Sequence, residues 1–222
     1  LVNEMGGFSL DFLDTRYVLY TRGVSNFPLL GKLMSYPECW RPDMLGELNA
    51  ERRKMENILP AHSGLFPFAD LVVGYSNAND GKAFFDANID GHAWFDEMRR
   101  FAGFRFLESG HYDLVVSLLG GVEIQKPKDY LASALAMLKA GESELASQII
   151  EESSNIQWPR LGTDDVFMNY KLYQLLETQR GLTPVEQQRE EALRLQLLEL
   201  GHPDIESGQV LGAGSFCRFP ES

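Results

Sequence analysis

The chain has 222 residues, enough to bury a sizeable core as one domain or as two packed halves. Its 44% hydrophobic and 23% charged residues are an ordinary globular composition, and no apolar run reaches the roughly 18–20 residues of a membrane span. The net charge of −12 divides into −4 before Gly110 (11 basic, 15 acidic) and −8 from there on (9 and 17), which argues against nucleic acid or an anionic membrane as a direct partner.

In chain order, Ser9 is placed to cap a first helix carrying Phe12, Leu13, Tyr17 and Tyr20 and ending near Gly23. A second short helix is expected over Pro28–Tyr36, stopped by Pro37. A third opens at Pro42 with Leu45, Leu48, Met55 and Ile58 on one face. Its Arg52, Arg53 and Lys54 form a basic run, read as a solvated face. Leu65–Tyr75 is apolar and reads as a buried helix with Pro67 in its first turn. Asn, Asp and Gly then cluster from Gly74 to Gly91, so a loop is expected there, with a short extended piece at Ala83–Phe85.

Within this loop, Asp86 to Glu97 reads D-A-N-I-D-G-H-A-W-F-D-E and fits D-x-[DN]-x-[DN]-G-x5-E at every specified position. The stretch resembles an EF-hand calcium loop. The resemblance implies Ca2+ as a cofactor, held by the side chains of Asp86, Asn88, Asp90 and Glu97 and by the backbone carbonyl of His92. Gly91 would make the sharp turn. The alternative is a polar turn in which Asp90 caps the following helix.

That helix, His92–Glu108, carries Trp94, Phe95, Met98, Phe101 and Phe104 at helical spacing. Tyr112–Leu119 is a shorter apolar helix halted by Gly120 and Gly121. Lys128–Glu152 reads as an αα-hairpin broken at Gly141, with alanines on its contact faces. Thr163–Arg180 follows and ends at Gly181. Thr183-Pro184-Val185-Glu186 is a capping box that starts a helix running to Leu200. Ile205–Phe219 holds three glycines and reads as an irregular, docked tail. The expected fold is therefore mainly α: one domain spanning 1–222, about eight helices, with a sub-boundary, if any, at the loop 74–91.

Catalytic signatures are missing. His62, His92, His111 and His202 fall in different segments, and Gly212-Ala213-Gly214-Ser215 lacks the lysine of a phosphate cradle. The chain is accordingly expected not to be an enzyme. Two cysteines, Cys39 and Cys217, define no disulfide framework; they read as reduced thiols of a cytoplasmic protein, with one long-range bridge as the alternative.

Between Phe68 and Glu152 a family pattern emerges: the apolar Phe68–Gly74 helix, a loop, the Trp94-Phe95-Asp96-Glu97-Met98 helix with Arg105 and Leu107, the Leu114–Leu119 segment, and Ala134–Glu142 with Ala146 beyond. This arrangement resembles the immunity-protein-49 family of bacterial polymorphic toxin systems. The resemblance implies a protein that neutralises a cognate toxin by direct binding. An acidic inhibitor suits a basic nuclease, because clustered carboxylates imitate phosphate. The more acidic second half supplies the expected contact residues, Asp164, Asp165, Glu186, Glu190 and Glu191. The competing reading is a calcium-binding helical protein, and an uncharacterised helical enzyme ranks third.

Overall fold

A computed structural model describes residues 8–13, 18–22, 26–59, 65–78, 81–88, 96–123, 125–156, 162–202 and 211–217. The chain is mainly helical. Ten α-helices and one two-stranded sheet are present among these residues, and no helix is long and apolar enough to cross a membrane. Two compact units emerge, Leu1–Ala102 with Arg218–Ser222, and Gly103–Cys217. The division lies between Ala102 and Gly103 rather than in the 74–91 segment.

The first unit opens on β1 (Phe8–Leu13) and β2 (Val18–Arg22), an antiparallel pair in register from Phe8↔Arg22 to Leu13↔Val18 with an irregularity between Leu10 and Phe12. This corrects the helix expected over Ser9–Gly23. Phe8, Leu10 and Phe12 alternate with Ser9 and Asp11 in the sequence, a period of two, and Val18, Tyr20 and Thr21 are strand-favouring types. The helical spacing of Phe12, Leu13, Tyr17 and Tyr20 is a coincidence of two consecutive strands.

Helices α1 (Pro28–Ser35), α2 (Leu45–Ile58), α3 (Leu65–Asn77) and α4 (Gly81–Asn88) follow, with short 3-10 turns at Pro37–Cys39 and Pro42–Met44. The first helix has Pro28 at its start, where a missing N–H costs nothing. Its next two amides, of Leu29 and Leu30, donate at 2.9 Å each to the two carboxylate oxygens of Glu51 on α2. A buried carboxylate from another helix thus does what an N-cap side chain does elsewhere.

An aromatic hub centred on Tyr75 draws α3 and α4 together. The Tyr75 ring meets Trp40 edge-on at 5.5 Å, Phe85 at 5.4 Å and Phe101 at 5.9 Å. Trp40 Nε1 donates to Ser76 Oγ, and Phe68 packs on Phe101 at 6.1 Å. Helix α4 stands where a loop with an extended piece at Ala83–Phe85 was expected. Gly74 is the reason the helices fit: a Cβ there would lie 2.5 Å from a Phe84 ring carbon. Phe85 is fully buried, and Lys82 pairs with Asp86 one turn on. Packing on the hub overrides the turn-forming residues around it.

The helix α5 (Asp96–Ser109) spans the division. The second unit contains its last turns, then α6 (Tyr112–Gly120), α7 (Pro127–Ala140), α8 (Ser143–Asn155), α9 (Thr163–Arg180) and α10 (Pro184–Glu199). At its centre is α7, buried at every position from Leu131 to Leu138 and packed against α6, α8 and α9. Its many alanines and Ser133 let the neighbours approach closely. The expected αα-hairpin is present as α7–α8, turned by Gly141 at φ +83°. Helices α9 and α10 form a second hairpin, in which Val166, Phe167, Tyr170 and Leu197 make a small apolar core against Leu193. His202, just beyond α10, stacks on Phe167 at 4.4 Å.

The tail is docked at its described part. Leu211 and Phe216 are buried around a 3-10 turn at Ala213–Phe216, Phe216 packs on Phe104, and Lys128 Nζ donates to the Phe216 carbonyl. Residues 203–210 and 218–222 lie outside the described residues. Neither Cys39 nor Cys217 is a free thiol, which corrects the expectation of reduced cysteines.

Candidate functional site

The calcium-loop residues fall on two helices and the segment between them. Asp86 is on the last turn of α4, exposed and paired with Lys82 Nζ; Asn88 is the final residue of that helix. Asp96 and Glu97 form the first turn of α5, where carboxylates favour the positive helix end. Asp90, Gly91 and His92 lie outside the described residues. Among the described residues no three His, Cys, Asp or Glu side chains are grouped to hold a metal. Helix α4 thus includes the first and third positions of the twelve-residue pattern, Asp86 and Asn88, and α5 includes its last two, Asp96 and Glu97.

The five acidic residues expected to meet a partner are not one surface. Asp164 and Asp165 sit in the first turn of α9, where Asp165 Oδ2 accepts from the Gly162 amide at 3.1 Å. Burial pushes the Asp165 carboxyl up, while the Gly162 amide and the charge of Lys128 pull it down. Glu190 and Glu191 lie on α10, where both raise the pKa of Tyr170 on α9 and Glu190 is also repelled by Glu177.

Glu186 is not a surface residue at all. It is 7% exposed and turned inward. Its Oε1 accepts from Ser147 Oγ on α8 at 2.5 Å and from Arg180 Nη2 on α9 at 2.6 Å. Its Oε2 accepts from the Thr183 amide at 2.8 Å and from Arg180 Nη1 at 3.1 Å. Burial alone would raise its pKa, but Arg180, Ser147 and Thr183 together hold it at about 2. The capping box legible in the sequence has been extended into a three-helix ionic joint.

What remains acidic and outward is the face of α10. Burial pushes the Glu190 carboxyl up, and Glu177 and Glu191 add to this by repulsion. Glu191 is held down by Arg194, whose Nε and Nη2 grip both its oxygens at 2.7 and 2.8 Å. One turn from Glu191, Leu195 is 48% exposed and Leu198 is 51% exposed, with Glu199 alongside. The Leu193 and Leu197 side chains fill the opposite, inward face. Two bare leucines beside Glu191, Arg194 and Glu199 are unexpected here, because apolar residues of an amphipathic helix belong on its buried side. Their positions were legible in the sequence; that they face outward was not, since a run of L-x-L-L shows several candidate faces.

The chain matches no family model, no curated protein and no solved structure.

Proposed function

We propose that this chain is a non-enzymatic binding protein that neutralises a protein toxin by direct contact, the role implied by its resemblance to the immunity-protein-49 family. The observation that supports this reading is the outward face of α10. Leu195 and Leu198 supply apolar anchors, and Glu191 and Glu199 supply an acidic rim beside them. Interfaces draw affinity from a few desolvated apolar anchors and specificity from the charges around them. The rim selects a basic partner, such as a nuclease with a cationic substrate cleft. Glu177 and Glu190 repel each other in the free protein, and a cation placed between them removes that repulsion on binding.

The test is growth rescue by the chain against a toxin encoded beside its gene, with binding measured on the purified pair. Leu195→Lys combined with Leu198→Lys is expected to weaken binding by roughly 100-fold, the size of one or two anchor residues. Thermal unfolding of the same variant should be unchanged, because both leucines are already exposed. Undiminished rescue by that variant would refute this face as the contact.

A second reading, calcium binding, rests on the Asp86–Glu97 pattern, whose two ends lie on the consecutive helices α4 and α5. Titration of chelator-treated protein is expected to show saturable binding in the micromolar to millimolar range. Glu97→Gln should weaken it strongly by removing the bidentate closure. Absence of calcium heat in the wild-type protein would reduce the segment to a helix-capping turn.

A further inference from the structure

Three αα-hairpins follow one another in the second unit, each turned by a glycine with positive φ. Gly110 (φ +84°) joins α5 to α6, Gly141 (+83°) joins α7 to α8, and Gly181 (+77°) joins α9 to α10. The glycines are unequally spaced, so no repeat of fixed period shows in the sequence. The two helices of a hairpin are not alike. The first helices are buried on all sides: α5 from Gly103 to Leu107, α7 from Leu131 to Leu138, and α9 at Val166–Met168 and Tyr170–Tyr173. The second helices bury one stripe each, with Val115 and Leu119 on α6, Ala146 and Ile150 on α8, and Leu197 on α10. Helix α7 packs on α6, α8 and α9, and α9 packs on α7, α8 and α10. The hairpins therefore stack with their first helices as an inner row, an arrangement that offers a surface to extended ligands.

The C-terminal segment of the chain covers part of that row. Just past Gly201, His202 lies flat on Phe167 near the start of α9. Farther on, Lys128 Nζ in the first turn of α7 donates to the Phe216 carbonyl at 3.1 Å, and the Phe216 ring meets Phe104 of α5 at 5.7 Å. The described contacts thus pass from α9 to α7 to α5, one hairpin at a time. Leu211 and Phe216 are each 3% exposed. The turn between them closes on itself: the Gly212 amide donates to Ser215 Oγ, and the Ser215 amide to the Gly212 carbonyl. What the row recognises is two apolar side chains and one backbone carbonyl, which any extended peptide with an aromatic residue can supply. The hairpins close through their own turns and mutual packing, so the row does not need this segment to form.

We propose that the inner row α5–α7–α9 is a docking site for an extended peptide with an aromatic anchor, filled in the free chain by its own residues 211–216. A partner's segment enters by displacing the tail, its aromatic ring against Phe104 and its carbonyl on Lys128. Tethering holds the tail at an effective concentration on the order of millimolar, so the partner must bring the better anchor. This site is separate from the outward face of α10 and does not depend on the toxin-binding reading.

The probe is a peptide of residues 209–216, labelled at its N-terminus, amidated at its C-terminus and followed by fluorescence anisotropy. The full chain carries every substitution. Phe216→Ala empties the aromatic recess and is expected to take up the probe at least roughly tenfold more tightly than wild type. Adding Lys128→Gln should weaken that uptake about tenfold, the size of one charged hydrogen bond. A probe with alanine in place of Phe216 should not bind. No uptake by the folded Phe216→Ala chain, equal uptake by wild type, or equal uptake of the two probes would overturn the proposal. Hydrogen exchange on the wild-type chain tests displacement without any variant. The Ser215 amide should exchange by local opening, at least roughly 100-fold faster than the central amides of α7. Exchange as slow as theirs would also overturn the proposal, since the tail would then leave only when the whole unit unfolds.

Discussion

Glu186→Ala is expected to destabilise the unit formed by α6–α10 by about 3 kcal/mol, among the largest effects of any single change at a polar residue of this protein. The carboxylate accepts four hydrogen bonds from three segments: Ser147 on α8, Arg180 on α9, and Thr183 at the head of α10. Removing it leaves Arg180, itself only 18% exposed, with the exposed Glu144 at 3.4 Å as its remaining ionic partner. Uncapping α10 adds to the loss. Glu186→Gln keeps the size and one acceptor, so it should recover about half. The acid dependence follows from the lowered pKa. The stability due to this ionisation is fully present above pH 4.5 and is lost as the pH falls toward about 2. Denaturant unfolding of wild type and Glu186→Gln between those limits checks it. The two should converge as the pH falls; a constant gap would show that the carboxylate acts through packing and not through its charge.

Glu51→Ala should cost the first unit a comparable amount, about 3 kcal/mol. The amides of Leu29 and Leu30 are buried at the start of α1, and Phe27, the residue before the helix, offers no side-chain cap. Alanine leaves both amides without an acceptor in a place closed to water. The sign of the acid dependence is the opposite of that for Glu186. Burial raises the Glu51 carboxyl more than the two amides lower it. Its protonation therefore favours the folded chain as the pH falls, and its ionisation withdraws that contribution as the pH rises through the folded pKa. Hydrogen exchange gives a local readout: Leu29 and Leu30 amides should exchange at least roughly 100-fold faster in Glu51→Ala, a loss of about 3 kcal/mol in local protection. Unchanged exchange at both residues would show that α1 does not rely on Glu51.

These two glutamates show how far the chain could be read without its fold. Glu186 was legible as half of a capping box with Thr183, because both residues belong to one helix start and the signal is local. Its conversion from a surface acid to the core of an ionic joint was hidden, since Ser147 is 39 residues away and Arg180 lies on another helix. Glu51 left no trace, because its partners are 21 and 22 residues away and are backbone amides, which every sequence possesses.

By itself the sequence determined the helical class, the αα-hairpin at Gly141, the ends of α9 and α10 at Gly181 and Gly201, and the acidic charge. These rest on periodicity, on caps and on glycines that accept positive φ, all of which act within a few residues. Tertiary structure alone decided the pairing of β1 with β2, the helix α4, and which carboxylates are buried and which face out. Strand pairing, packing on the Tyr75 hub and desolvation of a charge all depend on groups far apart in the chain, so their energies are set only when those groups meet.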